Sequence, residues 1–144
     1  MVRKPNYQRG IRAGRIRDWP PGVGTPDEVA ERVSYTGSSV HKTYPSPAGP
    51  PANYADKAKC DEYPPDSWPL LLDALRQGIR AGVVSEFRGE FPARIWVRIN
   101  GILHEARLTS ATGDYHGFPL RTEAQYPEPL NRLLATPDVE IPVV

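Results

Sequence analysis

The sequence predicts an α+β fold, with a small antiparallel sheet of about three to five strands packed on one main helix. Three observations lead there. Asn100-Gly101 separates two β-rich runs. An apolar stripe at helical spacing runs from Trp68 to Ile79. Proline is abundant, at 17 of 144 residues, roughly 12% against a background near 5%. Because proline is barred from helix interiors and central strands, regular elements are confined to a few proline-poor windows.

The central hairpin spans 91–109. An Asn-Gly pair favours a two-residue type I′ turn, since both central positions need positive φ. That turn pairs Ile99 with Ile102 and fixes the register outward: Arg98 with Leu103, Val97 with His104, Trp96 with Glu105, Ile95 with Ala106, Arg94 with Arg107. Directly paired residues share a face. One face then holds Ala93, Ile95, Val97, Ile99, Ile102, His104, Ala106 and Leu108, apolar except for His104, which reads as a core histidine bonded to backbone. The other face holds Arg94, Trp96, Arg98, Leu103, Glu105 and Arg107. A slip of one residue would bury the arginines against the core, so the register is well specified.

The main helix spans 67–81. Ser67 or Asp66 caps it, and Trp68, Leu71, Leu72, Leu75 and Ile79 recur along one face. Arg76 and Arg80 suit its C-terminal end, and Gly82 stops it. Gly78 in its interior costs roughly 1 kcal/mol against alanine, which points to a close backbone neighbour. A short N-terminal helix is predicted over 26–34. Thr25 caps it, Pro26 takes the first position, and Glu28 completes a capping box.

Elsewhere the pattern is weaker. Val83-Val84 begins a short strand. Tyr115 to Leu120 reads as an edge or bulged strand, weakened by Gly117 and Pro119. Pro129 to Leu134 makes a short helix, and Val139 to Val144 a terminal edge strand. Residues 36–67 form a long Pro-rich loop punctuated by tyrosines. The organisation expected is a basic, flexible arm over 1–24, followed by one domain over 25–144.

Net charge is +1 overall but unevenly spread. Residues 1–20 carry Arg3, Lys4, Arg9, Arg12, Arg15 and Arg17 against Asp18, a local net of +5 that leaves −4 for the rest. Such asymmetry suggests an anionic partner for the arm. The single cysteine, Cys60, excludes an internal disulfide. No secretory h-region and no membrane-length apolar run is present, so a cytoplasmic protein with no membrane partner is expected. Cys60, His41, His104 and His116 lack metal-ligand spacing, and Gly22-Val23-Gly24 lacks the strand and helix of a phosphate loop. Neither a metal nor a cofactor is expected.

The charged hairpin face carries the functional expectation. Metal-independent RNA cleavage needs a base, an acid and cations on the phosphate. Glu105 is the candidate base, with His116 or His41 as the acid. Arg94, Arg98 and Arg107 hold the phosphate, and Lys42 acts as a clamp beside His41. For binding without catalysis, Trp96 stacks a base, while Arg12, Arg15 and Arg17 neutralise phosphates. The first reading is therefore a small nucleic-acid-directed protein, RNA before DNA, whose catalytic form is a toxin-like, metal-independent endoribonuclease. The alternative is a non-enzymatic module that binds nucleic acid or protein through the basic arm, the Pro-rich segment Tyr44–Pro51 and the edge strands. Oligomeric state is not legible.

Overall fold

In the computed structural model the described residues are 13–36 and 67–141. The Pro-rich loop and the first residues of the arm lie outside them, as do residues 142–144. Among the described residues the fold is mixed α/β. Helix α1 (Pro26–Arg32) is followed by β1 (Ser34–Tyr35), helix α2 (Trp68–Arg80), a small ribbon of β2 (Phe87–Arg88) and β3 (Phe91–Pro92), then β4 (Arg94–Ile99), β5 (Ile102–Ser110), β6 (Asp114–Pro119) and β7 (Asp138–Val139). The main sheet has five strands in the order β1-β6-β5-β4-β7.

The hairpin forms with the expected register, pair for pair, from Arg94 opposite Arg107 to Ile99 opposite Ile102. Asn100 and Gly101 both adopt positive φ, at 52° and 80°, as a type I′ turn demands. One detail differs. Ile102, assigned to the core face, is 49% exposed, because it sits at the tip beyond the reach of either helix.

Helix α1 starts as predicted. Thr25 Oγ1 accepts the Glu28 amide at 3.1 Å, and Glu28 Oε1 accepts the Thr25 amide at 2.9 Å. The Thr25 amide on the Glu28 carboxylate, with the Thr25 hydroxyl beside it, holds that carboxyl below the usual glutamate range. The helix ends at Arg32 rather than 34, since Val33 turns extended and Ser34–Tyr35 join the sheet beside β6. Helix α2 buries Leu71, Ala74, Leu75, Gly78 and Ile79. Ser67 is its N-cap, without a side-chain cap bond. A Cβ on Gly78 would lie 2.8 Å from the Trp96 carbonyl oxygen and 2.9 Å from Ile95 Cγ2. That close approach of α2 to β4 is the physical reason for glycine there.

Three other expectations change. Strand β6 is an edge only in part, because β1 pairs in parallel with Asp114 and Tyr115 at its start. Among the described residues the terminal strand is Asp138–Val139, paired in parallel with β4, and the rest of the expected 139–144 strand beyond 141 lies outside them. The helix at 129–134 is a 3-10 helix over Leu130–Ala135.

The arm also differs from the flexible tail expected over 1–24, as far as it is described. Residues 14–18 lie along the sheet face opposite the helices, while Trp19 packs against the helix-side cluster. Ile16 is buried, its amide donates to the Glu128 carbonyl at 2.7 Å, and the Arg17 amide donates to Val84 at 2.8 Å. The sheet is consequently covered on both faces. On the helix side Val29, Ala30, Leu75, Ile79, Ile95 and Tyr115 cluster. On the back, Ile16, Val83, Trp96, Leu103, Phe118, Leu120 and Leu133 form a second core.

Candidate functional site

Strands β4, β5 and β6 lie side by side, so their paired residues form rows across the sheet. On the back face one row is Arg94, Arg107 and His116. The next is Trp96, Glu105 and Phe118. His116 is thus the diagonal neighbour of Glu105, a separation of about 7–8 Å between backbones.

Glu105 is fully buried. Its Oε2 accepts Arg107 Nε at 2.6 Å, and its Oε1 accepts Trp96 Nε1 at 3.1 Å. Arg94 Nη1 completes the cluster 3.7 Å from Oε1. A buried carboxylate is tolerated only when paired and hydrogen-bonded, and here both oxygens are occupied. The cross-strand pairing of Arg94 with Arg107 is unfavourable in isolation, and the shared carboxylate relieves it. Arg107 Cζ also lies 5.2 Å above the Phe118 ring, a cation–π contact.

The two arginines reach the surface, with side chains 26% and 27% exposed. His116 is half-buried beside them, with Nδ1 2.8 Å from Thr109 Oγ1. Thr109 was not anticipated. It lies at the irregularity that shifts the β5–β6 register after Leu108, where period-2 reasoning stops.

The structure does not bring every expected residue to this row. Arg98 shares the face but stands four residues along β4 from Arg94, about 13 Å away at strand spacing. It lies beside β7, opposite Asp138. Trp96 is fully buried. A Cβ on Gly14 would come within 2.5 Å of its ring and 3.0 Å of Arg94 Nη1, so Trp96 has no free face to stack a base. Its role here is to donate to Glu105. Gly14 was not anticipated either, since nothing in its sequence neighbourhood says what crosses it. Arg15 lies exposed, 3.7 Å from Glu128, and Arg17 is exposed nearby. Arg12, His41 and Lys42 lie outside the described residues.

His104 sits on the helix side and donates Nδ1–H to the Ile102 carbonyl at 2.8 Å, as a core histidine should. Among the described residues no group of three or more His, Cys, Asp or Glu side chains could hold a metal. No helix among them is long and apolar enough to cross a membrane. Comparisons of this chain with protein-family models, with curated proteins and with solved structures found no match.

Proposed function

We propose that this is an RNA-directed protein that holds the phosphate backbone on the back face of its sheet. The supporting observation is the row Arg94–Arg107–His116, which places two partly exposed guanidiniums and an imidazole across three adjacent strands around a single buried carboxylate. Phosphate recognition favours arginine because its planar donors match the oxyanion. The basic N-terminal residues add a sequence-independent attraction. The row is short and lies on a sheet, not on a helix sized for a DNA major groove, which favours a single RNA strand as the ligand.

Glu105 acts in this reading as a brace. It fixes the two arginines, and its own oxygens are occupied. The catalytic form of the proposal is metal-independent endoribonuclease action, with Glu105 as base and His116 or His41 as acid. Its support is the diagonal placement of His116 beside Arg107 and Glu105. It requires Glu105 to exchange Arg107 or Trp96 for a substrate hydroxyl, so binding is the better-supported role.

The test measures fluorescence anisotropy of a labelled single-stranded RNA over a salt series, with cleavage of total RNA in EDTA assayed in parallel. Affinity should fall linearly in log–log salt, and Arg94→Gln should reduce the slope by about 0.7, the value for one phosphate contact. No binding at low salt would sink the proposal. Cleavage by the wild type that is lost in both Glu105→Gln and His116→Ala would establish the catalytic form.

A further inference from the structure

We propose that Asn100 is a deamidation site under structural guard: the contacts that fasten β7 to the hairpin tip hold the reaction off, and the reaction, once it occurs, releases β7. This goes beyond the RNA-directed reading and does not depend on it.

The chemistry is intramolecular. The Gly101 nitrogen gives up its proton and attacks Asn100 Cγ. The N–Cγ bond forms, the Cγ–Nδ2 bond breaks, and Nδ2 leaves as ammonia, taking up a proton in exchange for the one lost from Gly101. Water then opens the five-membered imide. One opening leaves aspartate at this position, and the other leaves isoaspartate, with the backbone routed through the side chain. Asparagine followed by glycine is the pair most open to this reaction, because glycine has no Cβ to crowd the attacking nitrogen. Asn100 and Gly101 are such a pair, and both are exposed.

The fold opposes ring closure. The imide is nearly planar, so Cβ and the Gly101 nitrogen must stand on the same side of the Asn100 Cα–C bond. In a type I′ turn the first central residue has ψ of about 30°, which sets the two nearly opposite. The turn must therefore open before the nitrogen can attack. Residues 137–141 hold it shut. The Asn100 amide donates to the Val139 carbonyl at 2.9 Å. The Gly101 amide donates to Asp138 Oδ1 at 3.1 Å. Asn100 Nδ2 donates to the Ile141 carbonyl, and Asn100 Oδ1 accepts the Ile141 amide, both at 2.9 Å. Only two residues of β7 pair with β4, so its detachment is a local opening well short of global unfolding.

Conversion also prevents reclosure. The product lacks the Nδ2 donor, so a carboxylate oxygen faces the Ile141 carbonyl. That new carboxylate joins Asp138 and Glu140, which line the same open hollow as Asn100, and like charges there repel.

The experiment ages the full chain at mildly alkaline pH. The Asn100 peptide is then read by mass spectrometry for replacement of the amide by a carboxyl. The folded chain should react at least about tenfold more slowly than the same chain in urea, because only the opened state reacts. Asp138→Ala, checked for folding by circular dichroism, should recover part of that difference. Equal rates in the folded and unfolded chains would overturn the guard. A rate in Asp138→Ala no faster than in the wild type would overturn the part given to β7. Asn100→Asp supplies the product directly. Hydrogen exchange at the Arg98 and Asn100 amides, which donate to Pro137 and Val139, should quicken about tenfold in that variant, the factor for one lost hydrogen bond. Exchange there at the wild-type rate would overturn the release of β7.

Discussion

The two faces of the central sheet obey the same alternation but solve different problems. On the helix side, α2 brings Leu71, Leu75 and Ile79 onto Ile95, Val97 and Ile99. Apart from His104 and the Tyr115 hydroxyl, each bonded to a backbone carbonyl, the side chains buried there are apolar, and regular secondary structure supplies the cover. On the back face, irregular chain supplies it, from residues 14–18 and from the stretch holding Leu120 and Leu133. That cover encloses a carboxylate, a tryptophan and the inner parts of two arginines. A helix stripe excludes charge by its pattern. Irregular chain can tolerate charge, provided each buried charge is paired, and so a charged cluster can survive in an interior.

This contrast can be broken by mutation, starting where the effect is largest. Arg107→Ala leaves Glu105 buried with its shortest contact gone, and should cost about 3–5 kcal/mol in urea unfolding. The neutral pair Glu105→Gln with Arg107→Gln should cost clearly less, because no charge is stranded. Equal losses would mean that pairing is not what holds this face. On the helix side Leu75→Ala removes a fully packed side chain and should cost about 2–5 kcal/mol through the cavity it leaves. Its coupling to Glu105→Gln in a double-mutant cycle should be small, since the two side chains belong to opposite faces of the sheet.

Two glycines sharpen the comparison further. Gly78→Ala drives a methyl into the backbone of β4, and should cost about 1–3 kcal/mol by overpacking. Gly14→Ala meets the Trp96 ring at a similar distance, but its own segment is irregular and can shift. A smaller loss is expected in the same unfolding assay, and an equal one would show the back cover to be as rigid as a helix.

The smallest effect is one of pH. Tyr115 is buried on the helix side and donates its hydroxyl to the Pro92 carbonyl at 2.6 Å. Burial raises its pKa well above the ordinary tyrosine value. The folded protein keeps that proton where the unfolded chain releases it. The stability contributed is therefore complete below about pH 10 and declines as pH rises beyond it. Tyr115→Phe should flatten the alkaline slope of stability, which thermal melts from pH 8 to pH 11 would detect.

How much of this was legible in the sequence follows the same divide. The hairpin register came entirely from Asn100-Gly101 and strand alternation, and α2 from its stripe. The close neighbour of Gly78 was inferable because glycine inside a helix needs a reason. All of these are local signals. The pairing of Arg94 with Arg107 and the sharing of Glu105 between them were also implied by register. What covers that face was not. Nothing local says that Gly14 crosses Trp96 or that Leu133 returns beneath it, because both contacts join distant parts of the chain through segments with no periodicity. Trp96 was accordingly read as available to a base, when its indole is turned to Glu105.

The crossing of the two chain ends has a kinetic consequence. The Glu128 amide donates to the Gly14 carbonyl at 3.1 Å, and Arg132 Nη1 reaches Asp18 at 2.7 Å, 114 residues away in sequence. Closing so long a loop costs entropy before any contact rewards it. The β4–β5–β6 meander needs only short loops. During refolding it should gain hydrogen-exchange protection first, with Glu105 and its arginines still open to water. The back cover then closes last, so the charged cluster is hydrated through most of folding and becomes dry only when residues 14–18 meet the stretch around Glu128.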